Sequence, residues 1–233
     1  MLHNFLVSDG ANPNPGLALF GDTLFGTANG GGSSPYYEGT AFALNTDGTH
    51  FSNLHNFTAP SPFGTNSDGT IPFAGLILSG TTLYGTASSG GGFGDGTIYK
   101  LNSDGTGFTT LYSFSSVNNN TNSDGAGPVA PFVMFDNHLY GTTTGGGISG
   151  SGTLFSRSLP LRPPHLMILS DGSGGYVIDV QGTPNLAYRL QRAQSLTGPW
   201  TTSAPQTAPA SGLIEFHDLF PPPDLAFYRA LQQ

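Results

Sequence analysis

Leu54-His55-Asn56-Phe57, a loop closing on Asn66-Ser67-Asp68-Gly69, then Gly75-Leu76-Ile77-Leu78, Thr82-Leu83-Tyr84-Gly85-Thr86, Gly90-Gly91-Gly92, Gly96-Thr97-Ile98-Tyr99-Lys100-Leu101 and Asn102-Ser103-Asp104-Gly105: this stretch decides the fold, because it occurs three times. Upstream the chain reads Leu2-His3-Asn4-Phe5, Ser8-Asp9-Gly10, Gly16-Leu17-Ala18-Leu19, Thr23-Leu24-Phe25-Gly26-Thr27, Gly30-Gly31-Gly32, Gly39-Thr40-Ala41-Phe42-Ala43-Leu44 and Asn45-Thr46-Asp47-Gly48. Downstream it reads Leu111-Tyr112-Ser113-Phe114, Asn122-Ser123-Asp124-Gly125, Pro131-Phe132-Val133-Met134, His138-Leu139-Tyr140-Gly141-Thr142, Gly145-Gly146-Gly147 and Gly152-Thr153-Leu154-Phe155. The copies start at Leu2, Leu54 and Leu111, 52 and 57 residues apart, and fill residues 1 to about 160. A period of that length marks a repeat architecture.

Each copy holds four short runs of Leu, Ile, Phe, Tyr and Thr bounded by Gly, Asp-Gly or Pro, the pattern of strands joined by tight turns. In the Asn-Ser-Asp-Gly segments Asp bonds its own backbone and Gly takes positive φ. Four strands per repeat is the unit of a propeller blade. The third copy stops at Gly152-Thr153-Leu154-Phe155-Ser156, short of the fourth strand that the others make from Phe51 to Phe57 and from Phe108 to Phe114. Leu2–Phe5 is a strand of that same type with no sheet of its own. Pairing it into the third blade would close a ring with no open edge. Propellers run from about four to eight blades, so three make a cramped ring. Two chains exchanging their first strands would instead complete a six-bladed ring, and a trefoil-like barrel of twelve strands is the alternative all-β solution.

After Pro160 the pattern changes. Tyr176–Val180, Tyr188–Arg192, Leu213–Phe216 and Ala226–Ala230 alternate apolar and polar residues as half-buried strands do. With Gly182, Gly198-Pro199 and the run Pro221-Pro222-Pro223 between them, they suggest a small antiparallel sandwich over residues 161–233, with Trp200 in its core. The expected domains are therefore a propeller-like unit, 1–160, and a C-terminal β-sandwich, 161–233.

Composition agrees with an all-β chain. Of 233 residues 35 are Gly and 18 Pro, and only 9% are charged, against roughly 25% in ordinary soluble domains. A single Lys and two Glu leave little to coat helices. Hydrophobic residues make up 36%, with 17 Phe and 9 Tyr, enough to build a core. The net charge of −8 and the scattered basic residues speak against nucleic acid as a partner, and no apolar run is long enough for membrane insertion. The absence of Cys excludes disulfides, thiolate metal sites and Cys nucleophiles.

The cycle Leu-Tyr-Gly-Thr, Gly-Gly-Gly, Gly-Thr-hydrophobic-Phe/Tyr, Asp-Gly-Thr, Leu-His-Asn-Phe resembles the GloVer-type tandem repeat of choice-of-anchor surface proteins in Verrucomicrobia and Gloeobacter. The resemblance covers residues 1 to about 160 and is best from Leu54 to Thr110. It implies an exported repeat protein, extracellular or at the cell surface, with no enzyme activity to carry over. The tail, from Tyr188 through Trp200 to Phe227-Tyr228-Arg229, is similar to a C-terminal β-sandwich module of secreted proteins in the same bacteria. Met1–Phe5 has neither the basic nor the apolar stretch of a signal peptide, so either the protein is not exported or this is a mature or truncated form of a longer chain.

The chain has no Gly-x-Ser-x-Gly elbow, His-Glu-x-x-His or Walker loop. Gly145-Gly146-Gly147-Ile148-Ser149-Gly150 fits Gly-x-Gly-x-x-Gly, but a strand-like run follows it, so no helix N-terminus cradles a phosphate. Asp9, Asp68 and Asp124 occupy equivalent loop ends. Converging in a ring, they would bind Ca²⁺ or hydrogen-bond sugar hydroxyls; acting locally, each would only close its turn. A full Asp-x-Asp-x-Asp-Gly calcium loop is absent, and no cofactor is expected. His3 and His55 are equivalent, but the third copy has Tyr112 there, which speaks against a metal ligand. Tyr84 and Tyr140, equivalent to Phe25, form an aromatic platform for glycans where exposed and pack in the core where strand alternation covers them. His217 and Asp218 are adjacent on a strand and point apart. These readings give an exported, non-catalytic protein binding a polysaccharide or surface glycan. The rivals are a carbohydrate-active hydrolase using two repeat-loop Asp residues in an acidic cleft and a structural homo-oligomer joined through its N-terminal strand.

Overall fold

The Leu-aromatic-Gly-Thr run becomes the central strand of a small antiparallel sheet in every copy. In this computed structural model residues 1–33, 38–135, 137–159, 165–209, 211–221 and 226–232 are described, and every regular element among them is a strand. In the first sheet β1 (Ala11–Pro13) and β2 (Ala18–Phe20) both pair with β3 (Thr23–Gly30), followed by β4 (Thr40–Asn45) and β5 (Ser52–Asn56). The second runs β6 (Ile77–Ser79), β7 (Thr82–Ala87), β8 (Thr97–Asn102) and β9 (Thr109–Ser113). In the third, β10 (Ala126–Pro128), β11 (Val133–Phe135) and β13 (Thr153–Ser158) all pair with β12 (His138–Gly145). The same bulge recurs where the fourth strand joins the third, between Ala41 and Phe42 and between Ile98 and Tyr99. All-β, blade-like sheets of this kind are what the repeat demands. The trefoil-like alternative does not form, since each copy keeps its own open sheet and no barrel closes among the described residues.

The fourth strands predicted from Phe51 to Phe57 and Phe108 to Phe114 are β5 and β9. Leu2–Phe5, by contrast, is not a strand and does not pair with β13. Its rings hold it against the first sheet instead: His3 stacks on Phe51 at 3.9 Å between centroids, and Phe5 meets Phe42 edge-on at 5.0 Å.

Two glycine positions explain the repeated motif. A Cβ on Gly85 would lie 2.5 Å from the Tyr99 ring and 2.8 Å from Leu76, and Gly26 and Gly141 face Phe42 and Phe155 in the same way. The Gly of Leu-Tyr-Gly-Thr is thus bare so that the aromatic of Gly-Thr-x-Phe/Tyr can cross the sheet. Two residues after the Gly of each Asp-Gly turn, the backbone is left-handed, at Asn12 (φ 55°), Ile71 (φ 56°) and Gly127 (φ 64°). Asn and Gly suit that region; β-branched Ile71 is strained in it. Between the first two sheets lies one core of Phe25, Phe57, Leu76, Leu83, Tyr99 and Leu101, each large side chain contributing about 1.5–3 kcal/mol of burial.

The C-terminal strands are β14 (His165–Ser170), β15 (Tyr176–Gln181), β16 (Ala187–Ala193), β17 (Thr201–Thr202), β18 (Gln206–Thr207), β19 (Leu213–Asp218) and β20 (Phe227–Gln232). They form two sheets, β14-β15-β19 and β16 with β17, β18 and β20. Ile178, Val180, Ile214 and Phe216 of the first share a core with Tyr188 and Leu190 of the second. The large central ring is Tyr188, whose hydroxyl accepts from Thr183 N at 2.7 Å. Trp200, expected there, is instead half-buried beneath the Arg229 guanidinium, 4.0 Å from its ring.

The chain divides into two compact units, Met1–Val133 with Leu139–Arg157, and Met134–His138 with Ser158–Gln233. This differs from a single cut at 160. The turn around Asn137 goes with the C-terminal unit because Asn137 donates to the Leu159 carbonyl at 2.7 Å and His138 bonds Ser158 at 2.9 Å. Among the described residues no helix is long and apolar enough to cross a membrane.

Candidate functional site

The three repeated acids sit in the same local device. Asp68 Oδ2 accepts from His55 Nε2 at 2.9 Å and from Thr58 N at 3.0 Å, while the Thr58 hydroxyl donates to Oδ1. Asp124 Oδ2 accepts from the Tyr112 hydroxyl at 2.6 Å and Ser115 N at 2.9 Å, and the Ser115 hydroxyl donates to Oδ1. Asp9 accepts from His3 at 3.1 Å, Leu6 N at 3.2 Å and the Ser8 hydroxyl at 3.2 Å. Each carboxylate therefore ties the outer-strand type Leu-His-Asn-Phe segment to the loop that follows it. Burial raises the Asp68 carboxyl, but the bonds from His55 and Thr58 and the His55 charge outweigh it and hold the group below its ordinary 3.8. Asp124 follows the same logic with Ser115 and Tyr112 as donors, and Asp9 with Leu6, Ser8 and His3. Burial, then the Asp68 charge, pushes the Glu38 carboxyl up.

Sequence spacing concealed this clamp. The His or Tyr and its Asp are 6, 13 and 12 residues apart in the three copies, because the intervening loop changes length. The exchange of His for Tyr112 keeps the hydrogen bond, since both side chains donate to a carboxylate. The clamps do not merge: among the described residues no group of three or more His, Asp or Glu gathers in a way that would hold a metal ion.

A cation or ring covers each clamp. His3 lies on Phe51, His55 on Phe108 at 3.7 Å, and Tyr112 beneath the Arg157 guanidinium at 4.0 Å. The third copy has no counterpart of Phe51 or Phe108, and Arg157 reaches in from β13 instead. There the sheet ends. Ala41 of β4 and Ile98 of β8 are 0% exposed under β5 and β9, whereas the equivalent Leu154 of β13 is 79% exposed, and no fourth strand pairs with β13 among the described residues. A cleft of about 270 Å³ runs along this edge, lined by Tyr112, Phe114, Asp124, Leu154, Phe155 and Arg157. Asp124 is thus a repeated acid that faces a cavity.

Tyr84 is 6% exposed in the middle of its sheet, so its ring offers no platform; Tyr140 is 36% exposed. More exposed aromatics than either lie elsewhere. Phe63 and Phe93 are 90% and 55% exposed on two loops of the second repeat. These loops abut: Asn66 N donates to the Gly91 carbonyl at 3.0 Å, and a Cβ on Gly94 would lie 3.5 Å from the Gly64 oxygen. Hydroxyls and amides of Ser61, Thr65 and Asn66 stand beside them. Neither Phe belongs to the repeated motif, so comparison of the copies passes over both.

In the C-terminal unit Arg192 bonds both Asp218 oxygens, at 2.6 and 2.8 Å, and Tyr228 donates to Asp218 at 2.7 Å. His217 faces the other way, toward Glu215 at 2.8 Å, as strand alternation requires.

The model of a family described as the Gloeobacter/Verrucomicrobia repeat matches residues 1–176. Among curated proteins none matches the chain. Among solved structures, Bacteroides ovatus xyloglucan PUL GH43B is similar at a TM-score of 0.34 and 15% identity, over 88% of this chain and 43% of that one. The chain therefore spans under half of that structure's length, and at that score the likeness is loose.

Proposed function

The chain belongs to the Gloeobacter/Verrucomicrobia repeat family, and we propose that it is a non-catalytic β-repeat module of the bacterial exterior that binds a polysaccharide. The observation that carries this reading is the engagement of the repeated acids. Both oxygens of Asp68 and Asp124 are occupied by donors of their own repeat, and a carboxylate held so is neither a ready general acid nor a nucleophile. The acids serve the scaffold, and the groups left to meet a ligand are aromatic and neutral. Phe63 and Phe93, exposed on abutting loops with amides and hydroxyls around them, suit the apolar faces and hydroxyl rims of sugar rings.

The test uses insoluble and soluble bacterial and plant polysaccharides. Retention on one of them, with stabilisation against heat that saturates, is expected, and Phe63→Ala and Phe93→Ala should each weaken retention about tenfold or more while leaving the melting temperature unchanged. Release of reducing ends by the unaltered chain would overturn the non-catalytic part. Retention indifferent to both substitutions would remove the aromatic site.

A further inference from the structure

We propose that the open edge of β13 receives residues 1–5 of a second copy of this chain, joining copies head to tail. The argument rests on what the same edge does twice within one chain. In the first sheet β4 receives β5, with Thr40 opposite Asn56 and Ala41 opposite His55, and the Phe57 N–H donates to the Gly39 carbonyl at 3.1 Å. In the second β8 receives β9, with Thr97 opposite Ser113 and Ile98 opposite Tyr112, and the Phe114 N–H donates to the Gly96 carbonyl at 3.0 Å. The third sheet offers the same edge, Gly152-Thr153-Leu154-Phe155, with no strand against it among the described residues.

The occupant is specified equally well. A segment that pairs with this edge reads Leu-His/Tyr-Asn/Ser-Phe, and the chain has one such segment that pairs with nothing, Leu2-His3-Asn4-Phe5. Its position on its own first sheet leaves it ready for the role. Leu54–Phe57 faces two ways at once: it pairs with β4, and its His55 and Phe57 rings pack on Phe108 and Tyr99 of the following repeat. Leu2–Phe5 already makes the second set of contacts, His3 on Phe51 and Phe5 on Phe42. Joining copies adds the first set and reproduces between chains the junction seen between repeats. The shared register places Asn4 opposite Thr153, His3 opposite Leu154 and the Phe5 N–H on the Gly152 carbonyl. It also covers Leu154 and fills the cleft beside Phe155. Such a contact joins two different surfaces, so copies either close a ring or extend as an open array, and in both cases the exposed edge disappears.

The absence of native cysteine makes the register directly testable. Paired residues on neighbouring strands lie about 4.5–5.5 Å apart at Cα, within reach of a disulfide. The His3→Cys chain is mixed with the Leu154→Cys chain in a thiol/disulfide buffer. A covalent heterodimer mapped to residues 3 and 154 is expected, at least about tenfold above that given by His3→Cys with Ser156→Cys. Sedimentation of the unaltered chain should show mass rising from one copy to two or more with concentration. A monomer at all concentrations, or no excess over the Ser156→Cys control, overturns the proposal. So does a double His3→Cys, Leu154→Cys chain that links only within itself, since that result assigns the edge to the chain's own first residues.

Discussion

Replacing Tyr99 by Phe should make the repeat unit more stable. Tyr99 is fully buried, its hydroxyl has no hydrogen-bond partner among the described residues, and it lies against the bare Cα of Gly85. An unsatisfied buried hydroxyl costs about 1–3 kcal/mol. The first and third repeats carry Phe42 and Phe155 at this position, so the site accepts a ring without the oxygen. A gain of about 1–2 kcal/mol is expected at pH 7, and near 2–4 °C per kcal/mol for a unit of this size the melting point should rise by roughly 2–8 °C. Burial also pushes the Tyr99 phenol far above its ordinary 10.0. The unfolded chain gives up this proton as pH passes 10 while the folded chain keeps it, so this contribution to stability falls with rising pH. At pH 11 the advantage of Tyr99→Phe should therefore grow by about 1.4 kcal/mol. Urea unfolding at pH 7 and pH 11 reads both effects, with an unchanged m-value as the control. A variant less stable than the original at pH 7 would refute the reasoning, because the hydroxyl would then have a bonding partner.

Asp68→Asn should cost about 1–3 kcal/mol at pH 7 by weakening three charge-assisted bonds. Because the folded carboxyl lies below 3.8, its contribution is present above that pH and lost as pH falls through the folded value, so the variant's stability should decline less in acid melts below about pH 4. His55→Tyr, which copies the Tyr112 clamp, should stay within about 1 kcal/mol of the original, whereas His55→Ala leaves Asp68 short of a donor and should lose about 2; equal losses in thermal melts would show that the clamp is not what the position selects. Gly85→Ala drives a methyl into Tyr99 and Leu76 and should destabilise by about 1–3 kcal/mol in chemical unfolding. Ile71→Gly relieves the left-handed strain at φ 56° and should gain about 1 kcal/mol, a shift visible by calorimetry.

What the sequence made legible was spaced regularly. Thr-Leu-Tyr-Gly-Thr and Gly-Thr-Ile-Tyr gave β7 and β8, and the incomplete third copy showed that β13 lacks a fourth strand from its own repeat. Less legible was anything built across a loop of variable length. The His55–Asp68 pair is such a case, and Tyr112 looked like the loss of a function when it preserved a hydrogen bond. The fate of Leu2–Phe5 was half legible: its type was plain from Leu54–Phe57, but its contact with Phe42 and Phe51 depends on a stacking partner, Phe51, that is 48 residues from His3. Exposure at Tyr84 stayed open between platform and core, because periodicity tells which face a residue takes, not which faces the neighbouring sheets cover.

The sequence period and the sheet are out of step by one strand, since Leu54–Phe57 opens one copy and completes the sheet of the copy before it. A gene segment one period long therefore carries both the edge it needs covered and the cover its predecessor needs. Duplication or deletion of whole periods leaves every internal sheet complete, whatever the number. Array length can then drift over generations without any new interface having to arise.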